Sequence, residues 1–134
     1  MPFILDASVA ASWAFDDEKL PLAQKILERL NSDEAIVPAL WWFEILNIMA
    51  VNERRGRISA IIAARFLSLL RELEIGVDYA ADHGAILSLA RQHRLTGYDA
   101  AYLELAIREG LPLATLDKEL AKAAAYAGVR LLSA

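Results

Sequence analysis

Four carboxylates stand out by their place in the chain: Asp6, Glu44, Asp99 and Asp117. Asp6 ends the apolar run Phe3-Ile4-Leu5, and a helical pattern begins directly behind it. The stretch Leu113-Ala114-Thr115-Leu116-Asp117 repeats that device, an apolar strand closed by an acid with a hydroxyl two residues before it. In open α/β sheets ligands gather outside the carboxyl ends of the strands, so an acid in that position is placed for chemistry. The structural alternative is that Asp6 or Ser8 caps the helix that follows.

Glu44 is the exception on a segment that reads as apolar nearly all round, with Leu40, Trp41, Trp42, Phe43, Ile45, Leu46, Ile48, Met49 and Val51. Burying an unpaired carboxylate is very costly, and no lysine or arginine lies one helical turn away on either side. A metal ion answers that need better than a long-range salt bridge, and Asn47, three residues on, shares the same face. Asp99 stands three residues after Thr96, the spacing of a capping box at the start of a helix. Capping alone accounts for it. That helix, however, feeds through Gly110 into the strand Pro112 to Thr115. A helix antiparallel to the strand it feeds begins at that strand's carboxyl end, so Asp99 is expected on the Asp6 edge.

Bringing such groups together needs positioning elements, and the chain supplies strand and helix in alternation. After Asp6 we expect a short helix over Val9 to Ala14. The acidic run Asp16-Asp17-Glu18 opens a second helix, from about Lys19 to Leu30, and suits its positive end. Ala35 to Val37 is a strand ended by Pro38, and a buried helix runs from about Ala39 to Arg55. Arg54, Arg55 and Arg57 suit its negative end. Ser59 caps a helix to about Leu73, Ile75 to Val77 is a strand, and Asp78 to His93 a helix. His83 and His93 are isolated and read as structural or solvated. The Thr96 helix runs to about Arg108, the one after Asp117 to about Ala127, and Val129 to Leu132 forms a last strand. Strand and helix alternating throughout specify a mostly parallel central sheet with helices on both faces, a three-layer α/β/α sandwich.

The 134 residues suffice for one domain, residues 1–134, and are too few for two ordinary ones. A hydrophobic share of 57% fits a sheet covered on both faces, with apolar surface left over for self-association. The net charge of -4 argues against generic nucleic-acid binding but not against a nuclease whose acids hold cations. The absence of cysteine excludes disulfides and thiolate zinc sites. No basic leader precedes Phe3, and Ala35 to Val51 is too short and too polar for a membrane span, so a cytoplasmic protein is expected.

Two unit charges about 4 Å apart repel by about 4 kcal/mol at an effective dielectric near 20, so four converging acids require cations. All-oxygen ligands select hard ions, Mg²⁺ or Mn²⁺.

The chain resembles the PIN-domain ribonucleases, and among them the VapC-like toxins of toxin–antitoxin pairs. The resemblance spans the whole chain. It is carried by Leu5-Asp6-Ala7-Ser8 with Trp13, by Phe43-Glu44-Ile45-Leu46-Asn47, by Thr96-Gly97-Tyr98-Asp99-Ala100-Ala101-Tyr102, and by Thr115-Leu116-Asp117 with Gly128-Val129. It implies a small α/β/α fold, Mg²⁺- or Mn²⁺-dependent endoribonuclease activity, dimerisation and inhibition by a small antitoxin. The family's acidic site falls on Asp6, Glu44, Asp99 and Asp117, with Ser8 and Thr115 as polar support. The chemistry implied is hydrolysis of RNA by metal-activated water. Three other readings remain. A family nuclease that processes RNA without an antitoxin differs only in context, and a non-catalytic module would share the fold. An aspartate-nucleophile phosphatase would want a second acid where Ser8 stands.

Overall fold

Phe3, Ile4 and Leu5 are all fully buried, as an apolar run without alternation requires when both faces of a sheet are covered. They form β1 (Phe3–Leu5). A computed structural model of the chain describes residues 1–133, so Ala134, the last residue of the expected domain, lies outside the described residues. Behind β1 come α1 (Ala7–Ser12), α2 (Pro21–Arg29), β2 (Ala35–Pro38), α3 (Trp41–Arg54) and α4 (Ala60–Glu72). The chain continues through β3 (Gly76–Asp78), α5 (His83–His93), α6 (Gly97–Glu109), β4 (Leu113–Ala114) and α7 (Lys118–Tyr126).

Among the described residues the strands form one four-stranded sheet of order β3-β2-β1-β4, parallel at every pairing. Ile4 pairs with Ile36 of β2 on one side and Leu113 of β4 on the other, which makes β1 a central strand. Parallel crossovers keep one hand, so reversing the direction of travel after β3 puts the later helices on the opposite face. Accordingly α6 lies across β1, β2 and β4 with α5 and α7 beside it, while α1 packs on α2 and α3, and α3 on α4. The three-layer α/β/α architecture is as expected. The buried side chains form one continuous core, with Trp41, Tyr102, Ile45, Leu70, Leu103 and Leu105 its largest members outside the sheet apart from Ile26 and Leu120.

Local signals explain most boundaries. The Ser59 hydroxyl accepts the Ile62 N–H at the start of α4, and the Thr96 hydroxyl accepts the Asp99 N–H at the start of α6. Gly110 ends α6 with φ +65°, the left-handed conformation that favours glycine.

Four expectations need correction. The Val129 to Leu132 strand reduces to a single parallel bridge between Leu113 and Leu131, because β4 offers only two residues of ladder. Asp78 belongs to β3, paired with Pro38, and α5 begins only at His83, where the Asp82 carboxylate accepts the Ala85 N–H. The helix holding Glu44 is not buried all round, since Phe43 is 74% exposed and Leu46 is exposed too. The run Asp16-Asp17-Glu18 opens no helix: α2 starts at Pro21, a residue suited to the first helical position. Asp17 and Glu18 instead clasp Arg57, whose guanidinium also lies 4.4 Å from the Phe15 ring centroid. Arg57 therefore fastens the turn after α1 to the end of α3, where its guanidinium also donates to Asn52 Oδ1 and its main-chain N–H to the Asn52 carbonyl.

Candidate functional site

The strand order fixes where a ligand can sit. From β1 the sheet grows through β2 and β3 on one side and through β4 on the other, so a switch point opens beyond the ends of β1 and β4. Asp6 is the residue directly after β1, and Asp117 lies three residues beyond β4.

Two hydroxyls join these ends. Ser8 Oγ and Thr115 Oγ1 both donate to Asp6 Oδ2, at 2.7 and 2.6 Å. Each hydroxyl in turn accepts a main-chain N–H from the turn after β4, Ser8 from Leu116 at 3.1 Å and Thr115 from Asp117 at 3.0 Å. The Asp6 N–H donates to the Ala114 carbonyl, which completes the lacing. Asp6 sits at the N-cap position of α1, but its side chain makes no well-formed capping bond, and its firm hydrogen bonds are those from the two hydroxyls. Asp117 does cap: its Oδ1 accepts the N–H groups of Glu119 and Leu120. Both of those bonds fall on one oxygen, so the second is not used by the cap.

Glu44 lies in the first turn of α3, half-buried, and its partner is a phenol. The hydroxyl of the fully buried Tyr102 donates to Glu44 Oε1 at 2.5 Å and accepts the Ala7 N–H at 3.3 Å. Tyr102 thus ties α3 to the turn that carries Asp6. It follows Asp99 by three residues on α6 and shares its face. The Asp99 main-chain N–H donates to the Thr96 hydroxyl, while the reciprocal bond of a capping box, from the Thr96 N–H to the Asp99 carboxylate, is not made. The position of α6 is secured at its far end by the buried Glu104, which pairs with Arg108 and accepts the Asp82 N–H.

The electrostatics of these acids are mutual. Burial pushes the Asp6 carboxyl above the ordinary range, against the two hydroxyl bonds that favour its charge, and Asp117 adds to the rise. Burial likewise raises Glu44, opposed by the Tyr102 bond and assisted by Asp6 and Asp99. Asp99 is raised by burial first, then by Asp117 and Asp6. Tyr102 is driven far upward by burial and by Asp6 and Glu44, which keeps its hydroxyl a donor. Among the described residues no lysine or arginine forms an ion pair with any of the four acids.

Fit to a cation follows from the donor set. All donors are oxygens, they lack cationic partners, and a buried carboxylate without one is costly, so a hard divalent ion suits them. No three acidic or histidine side chains among the described residues stand close enough to hold one ion by direct contact. Mg²⁺ keeps several waters and binds proteins through one or two carboxylates, which such a spacing accommodates. Beside the acids a groove of about 410 Å³ is lined by Leu40, Phe43, Glu44, Asn47 and Tyr98. A larger one, about 620 Å³ between the turn after α1 and α4, includes none of the four acids.

Sequence reasoning named Asp6, Glu44, Asp99, Asp117, Ser8 and Thr115, and these surround the switch point. It missed Tyr102, whose signal was its place one helical turn after Asp99.

Raised folded-state values give a definite pH dependence. Three acids with elevated values destabilise the metal-free fold above those values, and the penalty fades as pH falls toward the ordinary carboxylate range. Asp78 runs the other way: the Arg108 guanidinium lowers it, so its stabilisation is lost only at still lower pH. Melting in chelator should therefore rise as pH drops moderately below neutral, then fall in stronger acid. Asp99→Asn should stabilise the metal-free protein at neutral pH by less than about 1 kcal/mol, since the group is partly exposed and screened. Thermal melts of both proteins in chelator check each sign; a flat profile above the ordinary carboxylate range would mean that the fold does not raise these acids.

A parallel sheet of this order with laced carboxylates at its switch point has a family counterpart. Residues 3–126 match the PIN domain, and the chain belongs to that family. Ribonuclease VapC3 of Pyrobaculum aerophilum is 30% identical over 125 residues, 91% of this chain and 94% of that protein. The crystal structure of PAE2754 from Pyrobaculum aerophilum aligns with a TM-score of 0.74 at 23% identity, covering 92% of this chain and 84% of that one, a likeness of fold. Among the described residues no helix is long and apolar enough to cross a membrane.

Proposed function

We propose that the chain is a Mg²⁺- or Mn²⁺-dependent endoribonuclease that acts as the toxin of a toxin–antitoxin pair. The observation that carries this reading is Asp6: an acid only 5% exposed, laced to two hydroxyls, beside other acids and without a cationic partner. Membership of the PIN family supports it, as does likeness to a protein named as a ribonuclease.

When bound, the divalent ion supplies Lewis-acid activation of water and neutralises charge developing at the phosphate. Asp6, Glu44, Asp99 and Asp117 would hold it, one or two of them directly and the others through its waters. Ser8 and Thr115 fix the Asp6 carboxylate by occupying Oδ2, which leaves its orientation little freedom. Asp117 is held in place by its capping bonds to α7. The phosphodiester is cut by water, with no side chain as nucleophile: the chain has no cysteine, and neither histidine lines the groove beside Glu44.

Homodimerisation and inhibition by a small antitoxin belong to the same reading. The exposed apolar side chains Ile61, Ile62 and Leu69 on α4, and Phe43 and Leu46 on α3, give partners apolar surface to cover. An antitoxin that reaches the acids would do so with an arginine or lysine in place of the cation.

Incubating the purified protein with total RNA, with and without Mg²⁺ and a chelator, tests the proposal. Cleavage that appears with Mg²⁺ and stops with chelator is expected. No cleavage under either condition, or cleavage indifferent to chelator, would overturn it.

A further inference from the structure

The Tyr102 hydroxyl is shared between two elements of the site, and the sharing is asymmetric for Glu44. It donates to Oε1 and not to Oε2, and among the described residues Oε2 accepts no hydrogen bond. The phenol cannot swing away easily. Its ring is fully buried in the core, and its oxygen is pinned from the other side by the Ala7 N–H. The phenol takes one lone pair of Oε1 and weakens that oxygen as a donor to an ion, while Oε2 keeps its full capacity.

That distinction separates hard cations by size. Mg²⁺ and Mn²⁺ sit in octahedral sites and take one oxygen from a carboxylate, whereas the larger Ca²⁺ takes six to eight oxygens and often both from one carboxylate. We infer that Tyr102 is a positioning residue that biases Glu44 toward coordination through Oε2 alone, and so makes the site favour small octahedral ions over Ca²⁺. The inference rests on the divalent-ion reading above and deepens it. Partners of this kind, one step removed from the ion, orient a ligand through a hydrogen bond, and their loss changes affinity by about 10- to 100-fold.

The test is titration calorimetry of Mg²⁺ and Ca²⁺ into the metal-free protein and into Tyr102→Phe, a change that deletes only the hydroxyl. Mg²⁺ affinity should fall by about 10-fold. Ca²⁺ affinity should hold or rise, so the ratio between the two ions shrinks. Parallel weakening of both ions, as a merely structural role would give, overturns the inference while leaving the metal site standing. Binding of neither ion to the wild type overturns both. An independent measurement needs no change at Tyr102. Difference infrared spectra of wild type against Glu44→Gln isolate the carboxylate stretches of Glu44. With Ca²⁺ bound, the wide splitting of one-oxygen coordination is expected, and the narrow splitting of two-oxygen coordination would overturn the assignment.

Discussion

Asp6→Asn is expected to lower RNA cleavage by roughly a thousandfold or more without loss of fold. The amide keeps the shape of the side chain and can still present an oxygen to the Ser8 and Thr115 hydroxyls, so the lacing between β1 and β4 survives. What disappears is the charge at the most buried of the four acids. Metal-ion catalysis contributes several kcal/mol of charge stabilisation, and each 1.36 kcal/mol is tenfold in rate. Removing the charge also removes a desolvation penalty, so the metal-free mutant should melt no lower than wild type. Single-turnover cleavage beside circular dichroism measures both effects. Near-normal cleavage by folded mutant would take Asp6 out of the site.

Thr115→Val carries the second large effect, through a neutral group. Its hydroxyl donates to Asp6 Oδ2 and accepts the Asp117 N–H, so it serves two acids at once. Valine fills the same space and supplies neither bond. The Asp6 carboxylate loses the stronger of the bonds that hold its charged form, and a main-chain N–H loses its acceptor. Leaving such groups unpaired costs about 1–3 kcal/mol of stability, and metal affinity should drop about 10- to 100-fold. Thermal melts and titration with Mn²⁺ read the two losses separately. Full affinity in a destabilised mutant would make the hydroxyl a structural bridge only.

The sequence made one half of this architecture legible. Phe3-Ile4-Leu5 and Leu113-Ala114 are apolar without alternation, which buried parallel strands demand, and an acid at the end of such a strand points to the ligand edge whatever the rest of the chain does. Thr96 and Ser59 announced their helices because capping is a local interaction. The other half depends on contacts between distant segments. Tyr102 meets Glu44 across 58 residues, and nothing local distinguishes its hydroxyl from that of an ordinary core tyrosine. The clasp of Asp17 and Glu18 on Arg57 spans about 40 residues, so locally the acids carry only the signal of helix-start charges. Phe43 and Leu46 failed for a different reason. A helix with apolar residues on every side carries no signal of which side the core takes, and its packing against α1 and α4 decides it. The four-stranded ladder, with Leu131 left as a bridge, likewise follows from how short β4 is, which residue types alone do not set.

The account turns on the four acids acting as one cation site, and anomalous diffraction from crystals soaked in Mn²⁺ addresses that directly. An anomalous peak at the switch point, coordinated by Asp6 with one or more of Glu44, Asp99 and Asp117 and absent from Asp6→Asn crystals, is the expected result. Well-ordered crystals in millimolar Mn²⁺ with no peak there, or with a peak that persists unchanged in Asp6→Asn, would contradict it.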